Sequence, residues 1–223
     1  MLYQLSYTPR PCARLRYAVG GIKGAFHLTH WFQVRDEARA CGKARALFDS
    51  APWTGPDIRE TATAIEGPTM LSRAEQAFYF WLARDWARDA GAIVDLGCFA
   101  GGSTAWLAEG RRQAGHCRPV LAGDRFTAPP EVRAQVLYAA DIAPFEGTDP
   151  LALVRRLLAR RPVTLVPDEI RSAVRPGGPI EILTIDAVKA IDTADAIAGT
   201  FFPALLPGGA VVVQQDRFHW RQP

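Results

Sequence analysis

From residue 92 onward the chain alternates between two hydrophobic patterns. Short and almost wholly apolar runs recur as "AIVDLG", "PVLAGD", "VTLVPD", "IEILTID" and "GAVVVQQD", and most end in an acid. Between several of them, helical segments are expected over Ser103–Arg112, Pro150–Arg160 and Ala187–Ala198. Strands that are apolar throughout suit burial on both faces. Their alternation with helices predicts an α/β architecture, a doubly wound and largely parallel sheet with helices on both sides. Ligands of such sheets sit beyond the carboxyl ends of the strands. Asp95, Asp124, Asp186 and Asp216 are all expected there.

Ahead of the first strand, "LSRAEQAFYFWLARDWARDAG" reads as a helix. Ser72 followed by Glu75 forms a capping box, and Phe78, Trp81, Leu82 and Trp86 recur at helical spacing. Gly91 is the expected stop. Residues 1–66 are less regular, with Pro9, Pro11, Gly20, Gly21, Pro52 and Pro56 as breakers and one amphipathic helix expected from about Val34 to Phe48. The chain therefore divides into an extension over 1–66 and an α/β domain over 67–223.

Composition narrows the field. The chain has 223 residues and a formal charge of +3, too small to imply nucleic acid as a partner. Residues 1–50 carry eight Lys/Arg against three Asp/Glu, which reads as a solvated basic extension. No apolar run approaches the roughly 18 residues that a membrane span needs, and the first residues lack the apolar core of a signal peptide. A cytoplasmic protein with no membrane partner is the expectation. Cys12, Cys41, Cys98 and Cys117 form no CxxC pair, so reduced thiols are expected and a zinc site is not.

The chemistry concentrates in "IVDLGCFAGGSTAWLA", Ile93 to Ala108. A strand ends at Gly97 and a helix begins near Ser103, with Ser103 or Thr104 as candidate caps. Gly97, Gly101 and Gly102 allow a tight turn and close backbone approach to a ligand. Phe99 stands where a dinucleotide fingerprint needs its second glycine, and no lysine follows to make a phosphate loop. An acid in the turn disfavours phosphate. It suits a ligand bearing an amine and ribose hydroxyls.

"VDLGCFAGGST" resembles motif I of class I S-adenosylmethionine-dependent methyltransferases, in the style of macrocin-type sugar O-methyltransferases and their relatives. The resemblance spans about Gly67 to Trp220. It implies a Rossmann-like fold and methyl transfer to a hydroxyl of a small molecule or sugar. It also implies S-adenosyl-L-methionine held by Asp95, Gly97, Cys98, Phe99, Gly101, Gly102 and Ser103. Asp124, 29 residues after Asp95, takes the place of the ribose-holding acid, with Arg125 beside it. Sheets of that family carry seven strands, and "RFHWRQP" follows just after the fifth expected here, so a sheet without the last two strands is the expectation. An open edge beside the fifth strand favours pairing with another chain, hence a homodimer. An inactive cofactor-binding domain and an NAD(P)-binding protein stand as the alternatives.

The later acids suggest a second layer of chemistry. Asp186 and Asp216 close adjacent expected strands, and Gln215 precedes the latter. Two carboxylates and an amide oxygen suit a hard divalent cation such as Mg²⁺. Asp186 with Lys189 three residues on is similar to metal-dependent catechol and caffeoyl-CoA O-methyltransferases, which implies Lys189 beside the acceptor hydroxyl. Arg217 departs from the Asn or Asp that those enzymes carry after the second metal aspartate. His219, next to these acids, is a candidate base near neutral pH.

Overall fold

A computed structural model describes residues 4–5, 43–146, 149–169, 177–186 and 191–215. The five apolar runs are strands of one sheet: β2 (Ala92–Leu96), β3 (Val120–Asp124), β4 (Val163–Pro167), β5 (Ile180–Ile185) and β6 (Val211–Gln214). All four pairings among them are parallel. With β1 (Gln4–Leu5), the sheet order is β1-β6-β5-β2-β3-β4. The chain leaves β2 towards β3 and β4, then returns to β5 and β6 on the other side, so the sheet is doubly wound. Its switch point lies between β2 and β5.

Alternation along β2 sorts the core. Ile93 joins Ile182, Val211 and Val213 on one face, against α2 (Pro56–Thr63), α3 (Arg73–Trp81), α4 (Gly102–Gln113) and α6 (Leu151–Leu157). Val94 and Leu96 join Leu183, Ile185 and Val212 on the other, against α7 (Ile191–Phe201). The expected helices over Ser103–Arg112 and Pro150–Arg160 are α4 and the shorter α6, with the single turn α5 (Pro130–Val132) between them. The one expected over Ala187–Ala198 is seen as α7, with 187–190 outside the described residues. Of the helix expected from Val34, residues 43–49 are described, and they form α1.

The capping box forms as expected. Glu75 N–H donates to Ser72 Oγ, and Ser72 N–H donates to a Glu75 carboxylate oxygen. Gly91 does not end α3. The helix widens into a π turn over Leu82–Trp86, closed by Ala87 N–H to Leu82 O at 3.0 Å. Gly91 lies just before β2 instead, where a Cβ would lie 2.7 Å from the backbone nitrogen of Glu181.

Residues placed in the N-terminal extension by sequence contribute to this core. Phe48 packs edge-on against Trp81 and Trp86, with ring centroids 5.4 and 5.0 Å away, and Trp53 lies 4.8 Å from Phe78. Ile58, Ala62 and Ile65 are buried in the same cluster, and Trp106 Nε1 donates to Ala62 O. The edge of β6 also differs from expectation. Gln4 and Leu5 pair antiparallel with Val213 and Val212, so part of that edge is covered by the chain itself.

Candidate functional site

The glycine turn runs from the end of β2 to the start of α4, at the switch point. Asp95, the fourth residue of β2, points to the α4 side and is 1% exposed. Its Oδ2 accepts from Ser103 Oγ at 2.7 Å and Thr104 Oγ1 at 2.6 Å, and its Oδ1 accepts from Thr184 Oγ1 at 2.6 Å. Three hydroxyls thus tie β2 to α4 and to β5. Burial raises the Asp95 pKa above the ordinary aspartate value; the bonds from Thr104, Thr184 and Ser103 pull it back, and the charge of Asp124 adds to the rise. Ser103 and Thr104 do not cap α4, contrary to expectation. The N-cap is Gly101, without a side-chain bond, because both hydroxyls turn inward to Asp95.

Within the turn, Gly97 (φ +89°) donates to Gly123 O at 2.8 Å, and Gly101 (φ +82°) donates to Cys98 O at 2.7 Å. These left-handed angles suit glycine. The space around two of the glycines belongs to the chain itself. A Cβ on Gly101 would meet Leu158 Cδ1 at 2.8 Å, and one on Gly102 would meet Thr69 Oγ1 at 2.6 Å. At Gly102 internal packing accounts for glycine by itself; at Gly101 the left-handed φ and the nearby Leu158 methyl do so together. Cys98 is buried; burial, then the charges of Asp95 and Asp124, push its thiol well above the usual range, so it stays protonated. Phe99 packs its ring beside a small cluster of Ala100, Leu137 and Leu153.

Asp124 ends β3 half-buried. Its Oδ2 accepts from Phe99 N–H at 2.9 Å and its Oδ1 from Phe126 N–H at 2.7 Å. The first bond crosses to the glycine turn, so the carboxyl ends of β2 and β3 are joined through this side chain. An ionised carboxylate has about four acceptor positions, and two are used here. Arg125 points away to an exposed pair with Glu169 at 3.4 Å, with side chains 62% and 59% exposed.

Asp186 follows β5, and its N–H donates to Leu96 O across the switch point. Gln215 follows β6, and its N–H donates to Ile185 O at 3.0 Å. The two stand at neighbouring strand ends. Gln215 Nε2 is buried without a hydrogen-bond partner among the described residues. Lys189, Asp216 and His219 lie outside the described residues. Among those described, no group of three or more His, Cys, Asp or Glu side chains is placed to hold a metal ion.

Two groups were not singled out by sequence. Thr184 carried a signal, since a hydroxyl inside the apolar strand "IEILTID" needs a buried partner. Tyr79, fully buried on α3, carried none. Burial, then the charges of Asp95, Asp186 and Glu75, push its phenol well above the usual range, so its ring lies within the field of both strand-end acids. A cleft of about 760 Å³ is lined by residues that include Glu66, Thr69, Gln76, Trp106 and Asp141, but by none of the turn itself. Thr69 belongs both to this cleft and to the contact with Gly102.

Compared by sequence, the chain matches no protein-family model and no curated protein. Among solved structures it is similar to the S-adenosylhomocysteine-bound methyltransferase PaMTH1 of Podospora anserina. The identity is 16% and the TM-score 0.47, over 88% of this chain and 73% of that one.

Proposed function

We propose that the chain is an S-adenosylmethionine-dependent methyltransferase acting on a hydroxyl of a small molecule or sugar. The observation that carries this reading is the acid–glycine turn at the switch point, joined through Phe99 N–H to an aspartate at the end of the next strand. Asp124 is half-buried, and its unused acceptor positions suit two ribose hydroxyls. The turn from Gly97 to Phe99 would hold the methionine part. Asp95 supports the turn from behind through its three hydroxyl partners, not by ligand contact. S-adenosylmethionine supplies a methyl group already activated on sulfur. What remains for the protein is to align the acceptor, take its proton and exclude water. The cleft beside Thr69 is the proposed approach for the acceptor, and its volume lies within the usual range for small-molecule sites, about 300–1,000 Å³.

An NAD(P)-binding protein is disfavoured because Phe99 carries a side chain where a dinucleotide's phosphates need a glycine. The metal belongs to the proposal too. Asp186 and Gln215, at adjacent strand ends, would share a Mg²⁺-like ion with Asp216, with Lys189 or His219 as the proton acceptor. A cytoplasmic protein, working as a homodimer, fits this reading. Among the described residues no helix is long and apolar enough to cross a membrane.

Calorimetric titration with S-adenosylmethionine and with NAD separates the cofactor readings, and heat on addition of NAD alone overturns this one. Turnover of a methyl-labelled cofactor in the presence of hydroxylated acceptors separates an enzyme from an inactive binding domain. Loss of that turnover in EDTA, restored by Mg²⁺ or Mn²⁺, is the outcome expected for the metal; full activity in EDTA removes it and leaves Lys189 or His219 acting alone.

A further inference from the structure

Both amides that bind Asp124 belong to residues in the left-handed region. Phe99 has φ +47° and Phe126 has φ +52°. For residues with a side chain this conformation is strained, because the Cβ crowds the backbone carbonyl. Something must hold it, and at Phe99 two contacts are in place. One is the bond from its N–H to Asp124 Oδ2; the other is the packing of its ring beside Leu137 and Leu153. Phe99 stands midway between Gly97 and Gly101, so its backbone angle aims the rest of the turn. Without the carboxylate its N–H loses its acceptor, and the cheapest relaxation is towards negative φ.

We infer that Asp124 is a positioning residue for the glycine turn: it holds Phe99 left-handed before any ligand arrives. The ribose contact proposed above is a separate duty of the same side chain. The two arms of the site, one at the end of β2 and one at the end of β3, then act as one preorganised unit. A change at Asp124 is felt at the glycine turn as well as at the ribose. The part of this inference that concerns cofactor affinity rests on the methyltransferase reading; the part that concerns the ligand-free turn does not.

Two experiments on the full chain decide it. In the ligand-free protein, Asp124→Ala should speed amide hydrogen exchange at Phe99 at least tenfold while the amides of β2 keep their rates. Unchanged exchange at Phe99 overturns the inference. If Asp124→Ala does not fold, Asp124→Asn replaces it, because an amide offers one oxygen to two N–H donors; exchange should then quicken at Phe99 or at Phe126, and no change at either overturns the inference.

The second experiment measures S-adenosylmethionine affinity by calorimetry for Asp124→Ala alone, with Phe99→Ala and with Phe99→Gly. Phe99→Ala removes the ring and keeps the strain, whereas Phe99→Gly removes both. The expected penalty of Asp124→Ala is about 100-fold alone or with Phe99→Ala, and about tenfold with Phe99→Gly, a coupling of about 1.4 kcal/mol. Penalties equal within twofold in all three backgrounds would mean that Asp124 acts through the ribose alone. If the wild-type chain binds no S-adenosylmethionine, the methyltransferase reading falls and the exchange result still decides the role of Asp124.

Discussion

Asp95 and Asp124 are both aspartates at the carboxyl ends of adjacent parallel strands, yet they serve the site in different ways. Asp95 is sealed from water and spends its acceptor capacity on three side-chain hydroxyls from α4 and β5. Asp124 is half-buried and holds two backbone amides, with acceptor positions left over. The contrast follows from where each sits. Asp95 lies within β2, with α4 directly over its side chain, whereas Asp124 is the last residue of its strand. One acid builds the frame of the site, and the other joins that frame to the place where a ligand would lie.

The largest effect is expected at the sealed acid. Asp95→Ala takes the carboxylate acceptor from the hydroxyls of Ser103, Thr104 and Thr184, the last two buried, and should destabilise the protein by about 3–5 kcal/mol, since each buried polar group left unsatisfied costs about 1–3 kcal/mol. Asp124→Ala, at a side chain that is only half-buried, should cost about 1–2 kcal/mol of stability. Equal losses by denaturant unfolding would erase the distinction between the two acids.

Next comes Gly101→Ala. A left-handed residue and a Cβ 2.8 Å from Leu158 together should cost about 2–4 kcal/mol and lower the melting temperature. The companion change Leu158→Ala should recover part of that loss by opening space, while the backbone share stays. Full recovery would show that packing, not φ, demands the glycine.

The pH dependence sharpens the comparison further. The Asp95 pKa is raised in the folded state, so the folded protein binds its proton more readily than the unfolded chain does. This contribution is fully present below the ordinary aspartate pKa and is lost as pH rises through the folded value. Subtracting the unfolding free energies of Asp95→Asn from those of the wild type should leave a curve that falls with rising pH across that window. A flat or rising difference would show that the three hydroxyl bonds outweigh burial.

The smallest effect is expected at Arg125, whose ion pair with Glu169 is exposed on both sides. Arg125→Ala should change stability by less than about 0.5 kcal/mol. A tenfold loss of S-adenosylmethionine affinity in that variant would return Arg125 to the cofactor-binding set that the sequence implied.

Local patterns made most of the fold legible. The five strands, α4 and the Ser72–Glu75 cap each follow from a few consecutive residues. What escaped depended on distant partners. "GCFAGG" looks like a ligand loop, but Gly101 is fitted to Leu158 and Gly102 to Thr69, and neither contact has a local signature. Ser103 and Thr104 look like caps because Ser and Thr usually are; a buried carboxylate one turn away won their hydroxyls. Residues 48–65 look like an extension because prolines and glycine interrupt them. Trp53 and Ile58 nevertheless pack against the apolar face of α3. Of the candidate site, the positions of Asp95 and Asp124 could be read from the sequence, but their hydrogen-bond partners could not.

The pairing of Gln4 and Leu5 with Val213 and Val212 has a kinetic consequence. These partners stand near opposite ends of the chain, so this edge depends on the most distant contact in the sheet. Loop-closure entropy grows only slowly with length, by about 0.6 kcal/mol per doubling, but such contacts are rewarded late in folding. During synthesis β1 emerges before the other described strands and then waits for β6, the last of them to be made. The β1–β6 seam should therefore be the last part of the sheet to close and the first to open under mild denaturant, while β2, β3 and β5 remain paired.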